Sequence, residues 1–380
     1  MIKKVFIYIF CFILAVSLVG CGESKENHSG TESAVSADDE WIKKLESQFD
    51  EVIEVSEEVI LNRAVAIVGN KEITGDGRII VSVEDAATGY AIRLLEGAQV
   101  SVGGSVEIVL SGTEGIIHID KGAELTLQGD ATVTREAAEA VNLLIEGSFV
   151  MNGGSISRGH HNIVCKPGAS FTWNQGEVKM AMGDAVVIEE DASIHIASKE
   201  AKLTEVYARG LVINGNAIID GVVMRDSMDS MIVVGPNGNL IFHDGKISEA
   251  GVHGIDNAGT LCVTGGIIYD NYHSGICNTG TLEITGGDIL SNADKGVLNK
   301  AGTAVIVGKD VSITQNHVGV ANEIGAYLEL TAASVVRNSD CEIYAYDGKL
   351  YIHDIILDIS DAGCIKGDRA EVILENVQAE

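Results

Sequence analysis

Residues 240–303 read LIFHDGKISEAGVHGIDNAGT (240–260), LCVTGGIIYDNYHSGICNTGT (261–281) and LEITGGDILSNADKGVLNKAGT (282–303), nearly the same phrase three times. Leu240, Leu261 and Leu282 open the copies, and glycine and asparagine return at fixed offsets. A unit of 21 to 22 residues is too short for a helical hairpin and suits one turn of a solenoid. Relaxed to an apolar residue, one outward residue and another apolar residue, the unit continues in both directions. Its anchors fall at Val100, Leu125, Phe149, Phe171, Ile194, Ile218, Leu240, Leu261, Leu282, Ala304, Leu328, Leu350 and Val372, never more than 25 residues apart. Such even spacing predicts one repeating unit and excludes a string of unrelated domains.

Within the unit, Leu282-Glu283-Ile284 and Leu125-Thr126-Leu127 alternate with period two, as half-buried strands do. Glycines follow at Asn152-Gly153-Gly154, Asp244-Gly245, Thr264-Gly265-Gly266 and Thr285-Gly286-Gly287, where a corner needs positive φ or close approach. A second strand leads to a corner carrying Asn271, Asn292, Asn316 or Asn338, and a third to Asn257, Asn278, Asn299 and Asn322. One coil therefore has three short strands and three corners. Stacked asparagines can donate to the next coil and accept from the previous one, and asparagine tolerates the left-handed backbone expected at a turn. Asn257, Asn278, Asn299 and Asn322 are the expected structural ladder. Only Pro167 and Pro236 interrupt the chain, as expected where nearly every backbone N–H is needed for pairing. The expected fold is all-β, a parallel β-helix of about 12–13 coils with a short N-terminal capping helix.

The run G-x-I-x-x-N-x-x-x-G-I-x-N-x-G-T-L-x-I-T-G-G, Gly266 to Gly287, resembles the right-handed parallel β-helix repeats of the pectin-lyase-like superfamily, and among them adhesin-like surface lipoproteins of bacteria. The opening Val59-Ile60-Leu61 and Ile73-Thr74-Gly75-Asp76-Gly77-Arg78-Ile79-Ile80 resembles those proteins as well. The resemblance covers residues 59–380 and implies the fold. It leaves activity open, because the scaffold carries lyases, hydrolases, epimerases and passive adhesins alike.

Lys3 and Lys4 precede an apolar run, Val5 to Val19, too short for a comfortable span and suited to a signal peptide. Leu18-Val19-Gly20-Cys21 matches a lipobox, so Cys21 is the expected lipidation site, its acyl chains anchoring the protein to a membrane at the cell envelope, facing outward. The expected organisation is a lipoprotein signal peptide over 1–20, a flexible acidic tether over 21–37, a helical cap over 38–58 and the β-helix over 59–380. Trp41, Ile42, Leu45 and Phe49 lie at helical spacing and read as the cap's core-facing stripe, shielding the first coil from strand pairing.

The formal net charge is −29, and removing residues 1–20 takes away two lysines more. Nucleic acid is thereby excluded as a partner, and a polyanionic glycan would need a bridging divalent cation. After Cys21 the remaining cysteines are Cys165, Cys262, Cys277, Cys341 and Cys364, with no C-x-x-C metal spacing, and they read mostly as free thiols.

Chemistry could come from His160, His161, His253, His273 and His317, with Arg158, Arg225, Lys295 and Arg337, and with Asp184, Asp226, Asp229, Asp256 and Asp270. The motifs of enzymes in the resembled superfamily do not match. The paired aspartates and Arg-x-Lys of polygalacturonases are missing, and Gly159-His160-His161 and Val252-His253-Gly254 match only half of their Gly-His-Gly. The Asp-Pro-His-Asp of alginate epimerases and calcium-binding nonapeptides are missing too. Enzymes on this scaffold build cleft walls from long corner loops, for which these coils leave little chain. The reading is a non-catalytic, lipid-anchored surface β-helix that binds a glycan or a host or envelope component, or serves as a scaffold, with no metal or cofactor. The alternative is a polysaccharide lyase or glycoside hydrolase drawing on His253, His273, Arg225 and Asp226, with Ca²⁺. Trp173, Tyr269, Tyr272, Tyr344, Tyr346 and Tyr351 are the aromatics available for sugar stacking.

Overall fold

The structure, a computed structural model, describes residues 37–83, 89–112, 115–357, 365–367 and 369–379. Cys21, the signal segment and the tether before Ala37 lie outside them, as does Cys364. From residue 37 onward the chain forms one compact unit, a parallel β-helix of about 13 turns.

Each turn supplies strand segments to three faces. The third face is a 14-stranded sheet stacked in chain order, from Val65–Ile67 to Ile365–Gly367. The first and second faces join into one 23-stranded sheet, because in coils such as Glu124–Arg135, Thr260–Tyr269 and Thr281–Leu290 a single strand runs through the corner between them. The register slips at that corner, between Gly129 and Thr132 and between Thr264 and Ile267. Glycine is needed there. Gly287 has φ +110°, and a Cβ on it would sit 2.9 Å from the carbonyl oxygen of Gly265 in the coil below.

The second corner solves the same problem without glycine. Its left-handed residues include Asp226 (φ 64°), Glu249 (56°), Asp270 (52°), Ser291 (56°), Gln315 (60°) and Arg337 (61°). Asn271, Asn292, Asn316 and Asn338 each follow such a residue and are not left-handed themselves, nor are Asn257, Asn278, Asn299 and Asn322. The tolerance for positive φ expected to select these asparagines is therefore not what holds them. The exposed residue before takes the strained backbone, which leaves the amide free to point inward.

Val100, Leu125, Phe149, Phe171, Ile194, Ala217, Leu240, Leu261, Leu282, Ala304, Leu328 and Leu350 stack rung on rung. The anchor expected at Ile218 is thus one residue out. Ile219 is fixed inward between Ile196 and Phe242, so by period two Ala217 faces the core and Ile218 is 41% exposed. Part of the core is aromatic. Phe149 stacks on Phe171 at 4.9 Å between centroids, and Phe171 lies 5.7 Å from Trp173. Trp173 is fully buried and donates its Nε1–H to the Gly176 carbonyl at 3.3 Å, so it is core and not an exposed sugar platform.

At the N-terminal end the helix Ala37–Leu45 buries Ile42 and Leu45, with Trp41 packed beside them. Phe49, expected on the same stripe, lies past the helix end and is 79% exposed. Parallel pairing begins at Glu51–Val55, against Asn70–Gly75. In the rung below Val100, buried Lys71 donates from Nζ to the carbonyls of Ser47 and Phe49 at 2.9 and 2.5 Å, tying the post-helical turn over the open coil. Glu46 and Arg63 pair bidentately at 2.7 and 2.9 Å beside it.

Candidate functional site

Two asparagine ladders run inside the C-terminal coils. Asn257 Nδ2 donates to Asn278 Oδ1 at 2.7 Å, Asn278 to Asn299 at 2.8 Å, and Asn299 to Asn322 at 2.8 Å. The same amides donate to corner carbonyls, Asn257 to Thr281 and Asn299 to Tyr327. At the second corner Asn271, Asn292, Asn316 and Asn338 form a parallel ladder at 2.9, 3.0 and 3.1 Å, which ends on the Glu342 carboxylate. Nearer the N-terminus the corner is filled by Arg135, Asn142 and Asn162. Arg135 donates to Asn142 Oδ1 and to the carbonyls of Gly112, Gly115 and Val141, and burial pushes its pKa down to about 10. These buried amides hold the coils at fixed spacing; their polar atoms are consumed by the framework.

The residues weighed for chemistry do not converge. His253 and His273 are neighbours on stacked coils, 6.0 Å between ring centroids, and His253 Nδ1 accepts from the Ser274 backbone N–H at 3.3 Å. Burial holds the His253 pKa below the ordinary histidine value, with Asp256, Asp229 and Asp294 opposing. Arg225 lies on the outer side of the second face and Asp226 is its left-handed corner residue; among the described residues neither is ion-paired to the two histidines. Of the remaining candidates, His160 and His161 meet edge to face at 4.7 Å between ring centroids, and His161 meets Asp184. His161 Nδ1 lies 2.8 Å from the Asp184 carbonyl oxygen, and both Asp184 carboxylate oxygens accept from Arg209, at 2.7 and 2.6 Å.

That pair forms one rim of a shallow groove of about 460 Å³ on the third face. In the central coils the third-face strands are three residues long, so each turns only its middle side chain outward. In consecutive coils these are Leu144, Val164, Val187, Val212 and Val233, in unbroken register, followed by Asp256. Val164 and Val212 are crowded by their neighbours yet stand outside the continuous core. Asn214, Pro236 and Ala258 form the opposite rim. Sequence reasoning missed this surface, although its signal is present: apolar residues occupy the outward position of Ile163-Val164-Cys165, Val186-Val187-Ile188 and Leu211-Val212-Ile213, where a solvated strand would alternate. With both Asp184 oxygens engaged by Arg209, the groove offers an apolar floor and a neutralised ion pair.

Among the described residues the remaining thiols are free. Cys165, Cys277 and Cys341 are buried, and desolvation pushes the last two up to about 11, away from reactive thiolate chemistry. The fold thus places the chain among parallel β-helix repeat proteins. No protein-family model matches it, and no curated protein matches its sequence.

Proposed function

We propose that this chain is a lipid-anchored, non-catalytic β-helix of the bacterial cell surface, whose third face binds a partner. The anchor rests on the lipobox ending at Cys21, and the likeness of Gly266–Gly287 to pectin-lyase-like repeats supports a surface role. The observation that carries the binding reading is the valine-floored groove. A row of five outward apolar side chains on a chain of net charge −29 is surface left unsolvated for a purpose. Its floor is aliphatic and has no aromatic platform, which favours a protein component of the host or envelope over polysaccharide. Nucleic acid is opposed by the charge.

The test is a binding screen of the full chain against host-matrix and envelope proteins and a glycan array, with product detection, comparing the parent with a lysine variant at the half-buried groove position, Val233→Lys. The expected result is protein binding lost in Val233→Lys at an unchanged melting temperature, with no unsaturated or reducing-end sugars released with or without Ca²⁺. Sugar release abolished by changing His253 or Arg225 would establish the lyase or hydrolase instead. Fractionation of Cys21→Ser tests the anchor: a mature variant still in membranes would sink it.

A further inference from the structure

On the third face just N-terminal to the valine row, His118 is the middle residue of Ile117–Ile119, held by two buried isoleucines. Ile119 and Ile145 are register partners, so the residues after them, Asp120 and Glu146, occupy equivalent positions on successive coils. Two carboxylates on adjacent rungs repel. The next cation along that column, Lys166, is engaged by Glu189 at 2.5 Å. Arg93, one coil below, donates through Nε to both oxygens of Asp120, at 2.8 and 3.1 Å, which fixes that carboxylate and leaves lone pairs open. Among the described residues Glu146 has no direct cation partner; it is compensated at longer range by His118 and by the charge of Arg93.

The imidazole supplies the observation that points to a ligand. His118 Nε2 is shielded from solvent and has no hydrogen-bond partner among the described residues, yet it faces Asp120 Oδ1 at 3.8 Å and Glu146 Oε2 at 3.6 Å. All three donor atoms lie within 4.8 Å of one another. These separations are too long for direct hydrogen bonds. A tetrahedral ion with ligands at about 2.0–2.1 Å needs donor–donor edges of about 3.3 Å, which asks the two imidazole–carboxylate edges to close by about 0.3–0.5 Å and the carboxylate–carboxylate edge by at most about 1.5 Å, within reach of a rotation of the half-exposed Glu146 side chain. We infer that His118, Asp120 and Glu146 bind one divalent cation of the zinc type. A nitrogen donor among three favours a borderline transition ion over Ca²⁺, which takes oxygen ligands. Three protein ligands leave the fourth position to water or to a group from a partner. The site would add an ion to the end of the binding face.

The experiment is calorimetric titration of zinc chloride into the chelator-stripped full chain in detergent, with His118→Gln and Glu146→Gln as variants and X-ray absorption at the zinc edge. Glu146 is half exposed, so its substitution leaves the coil intact even if His118→Gln perturbs it. We expect one zinc per chain, light-atom N/O scattering, and a loss of affinity in each variant of at least the roughly 10- to 100-fold that disturbing a ligand's supporting partner costs. Absence of zinc binding, sulfur in the coordination sphere, or unchanged affinity in both variants would overturn the assignment and leave an ordinary ion-paired histidine.

Discussion

One inward position of the third face is filled in two different ways along the molecule. From Ile145 through Cys165, Ile188, Ile213 and Val234 it is apolar; in the next rungs, in unbroken register, it becomes Asn257, Asn278, Asn299 and Asn322, and then Ala345. The corner that follows varies as well, but not in step with the filler: after Ile145 and Ile213 it is as short as after Asn257. The longer corners close themselves, with backbone bonds from Ala169 to Lys166, Ala192 to Glu189 and Gly238 to Gly235 on apolar rungs and from Ala326 to Glu323 on the Asn322 rung. At a short corner such as Ala258-Gly259 the asparagine adds closure from inside: Gly259 N–H donates to Asn257 Oδ1, whose amide bonds the Thr281 carbonyl. The aliphatic filler leaves its corner to the backbone alone. The two solutions share one backbone path, which is why they can share one rod.

Truncation in the apolar stretch gives the largest expected effect. Trp173→Ala removes the bulkiest fully buried side chain, beside Phe171, and should cost about 3–5 kcal/mol in a denaturant melt. A loss under about 1 kcal/mol would mean that the aromatic stack is not what fills these coils.

Exchanging the two fillers sharpens the contrast directly. Asn278→Leu strands the amides of Asn257 and Asn299 and should cost about 1–3 kcal/mol. Ile213→Asn puts a lone amide between Ile188 and Val234, with no ladder to join, and should cost at least as much, about 2–4 kcal/mol. If Ile213→Asn melted like the parent, the ladder would not be what makes a buried asparagine tolerable at this position.

The smallest effect is a pH dependence at the second corner of the asparagine stretch. Burial depresses the His253 pKa, so the folded state prefers neutral imidazole and the unfolded state binds a proton first. Stability from this group is fully present above the ordinary histidine value and declines as pH falls through that value toward the depressed one. His273 adds to the penalty, whereas Asp256, Asp229 and Asp294 reduce it. Melting temperatures of the parent and His253→Gln should therefore converge as pH is lowered from 7.5 to about 5. Parallel curves would place His253 in solvent.

The repeat at 240–303 was enough to establish a parallel solenoid, its coil length and the stacking of Asn257, Asn278 and Asn299, because each depends on one residue type recurring at one offset. Ile218 was misread because Ala217-Ile218-Ile219 is apolar at both parities, and only pairing with Phe242 and Ile196 chooses between them. Trp173 and Phe49 were misplaced for a related reason, since hydrophobicity does not say which side of a strand, or which side of a helix end, a residue lies on. The valine groove and the trio His118, Asp120 and Glu146 were decided by tertiary structure alone. Apart from His118 and Asp120, which lie two residues apart, their members are separated by about one coil in sequence and become neighbours only when rungs stack at about 4.8 Å. A periodic sequence determines its own stacking; what accumulates on the outside depends on residues the period does not constrain.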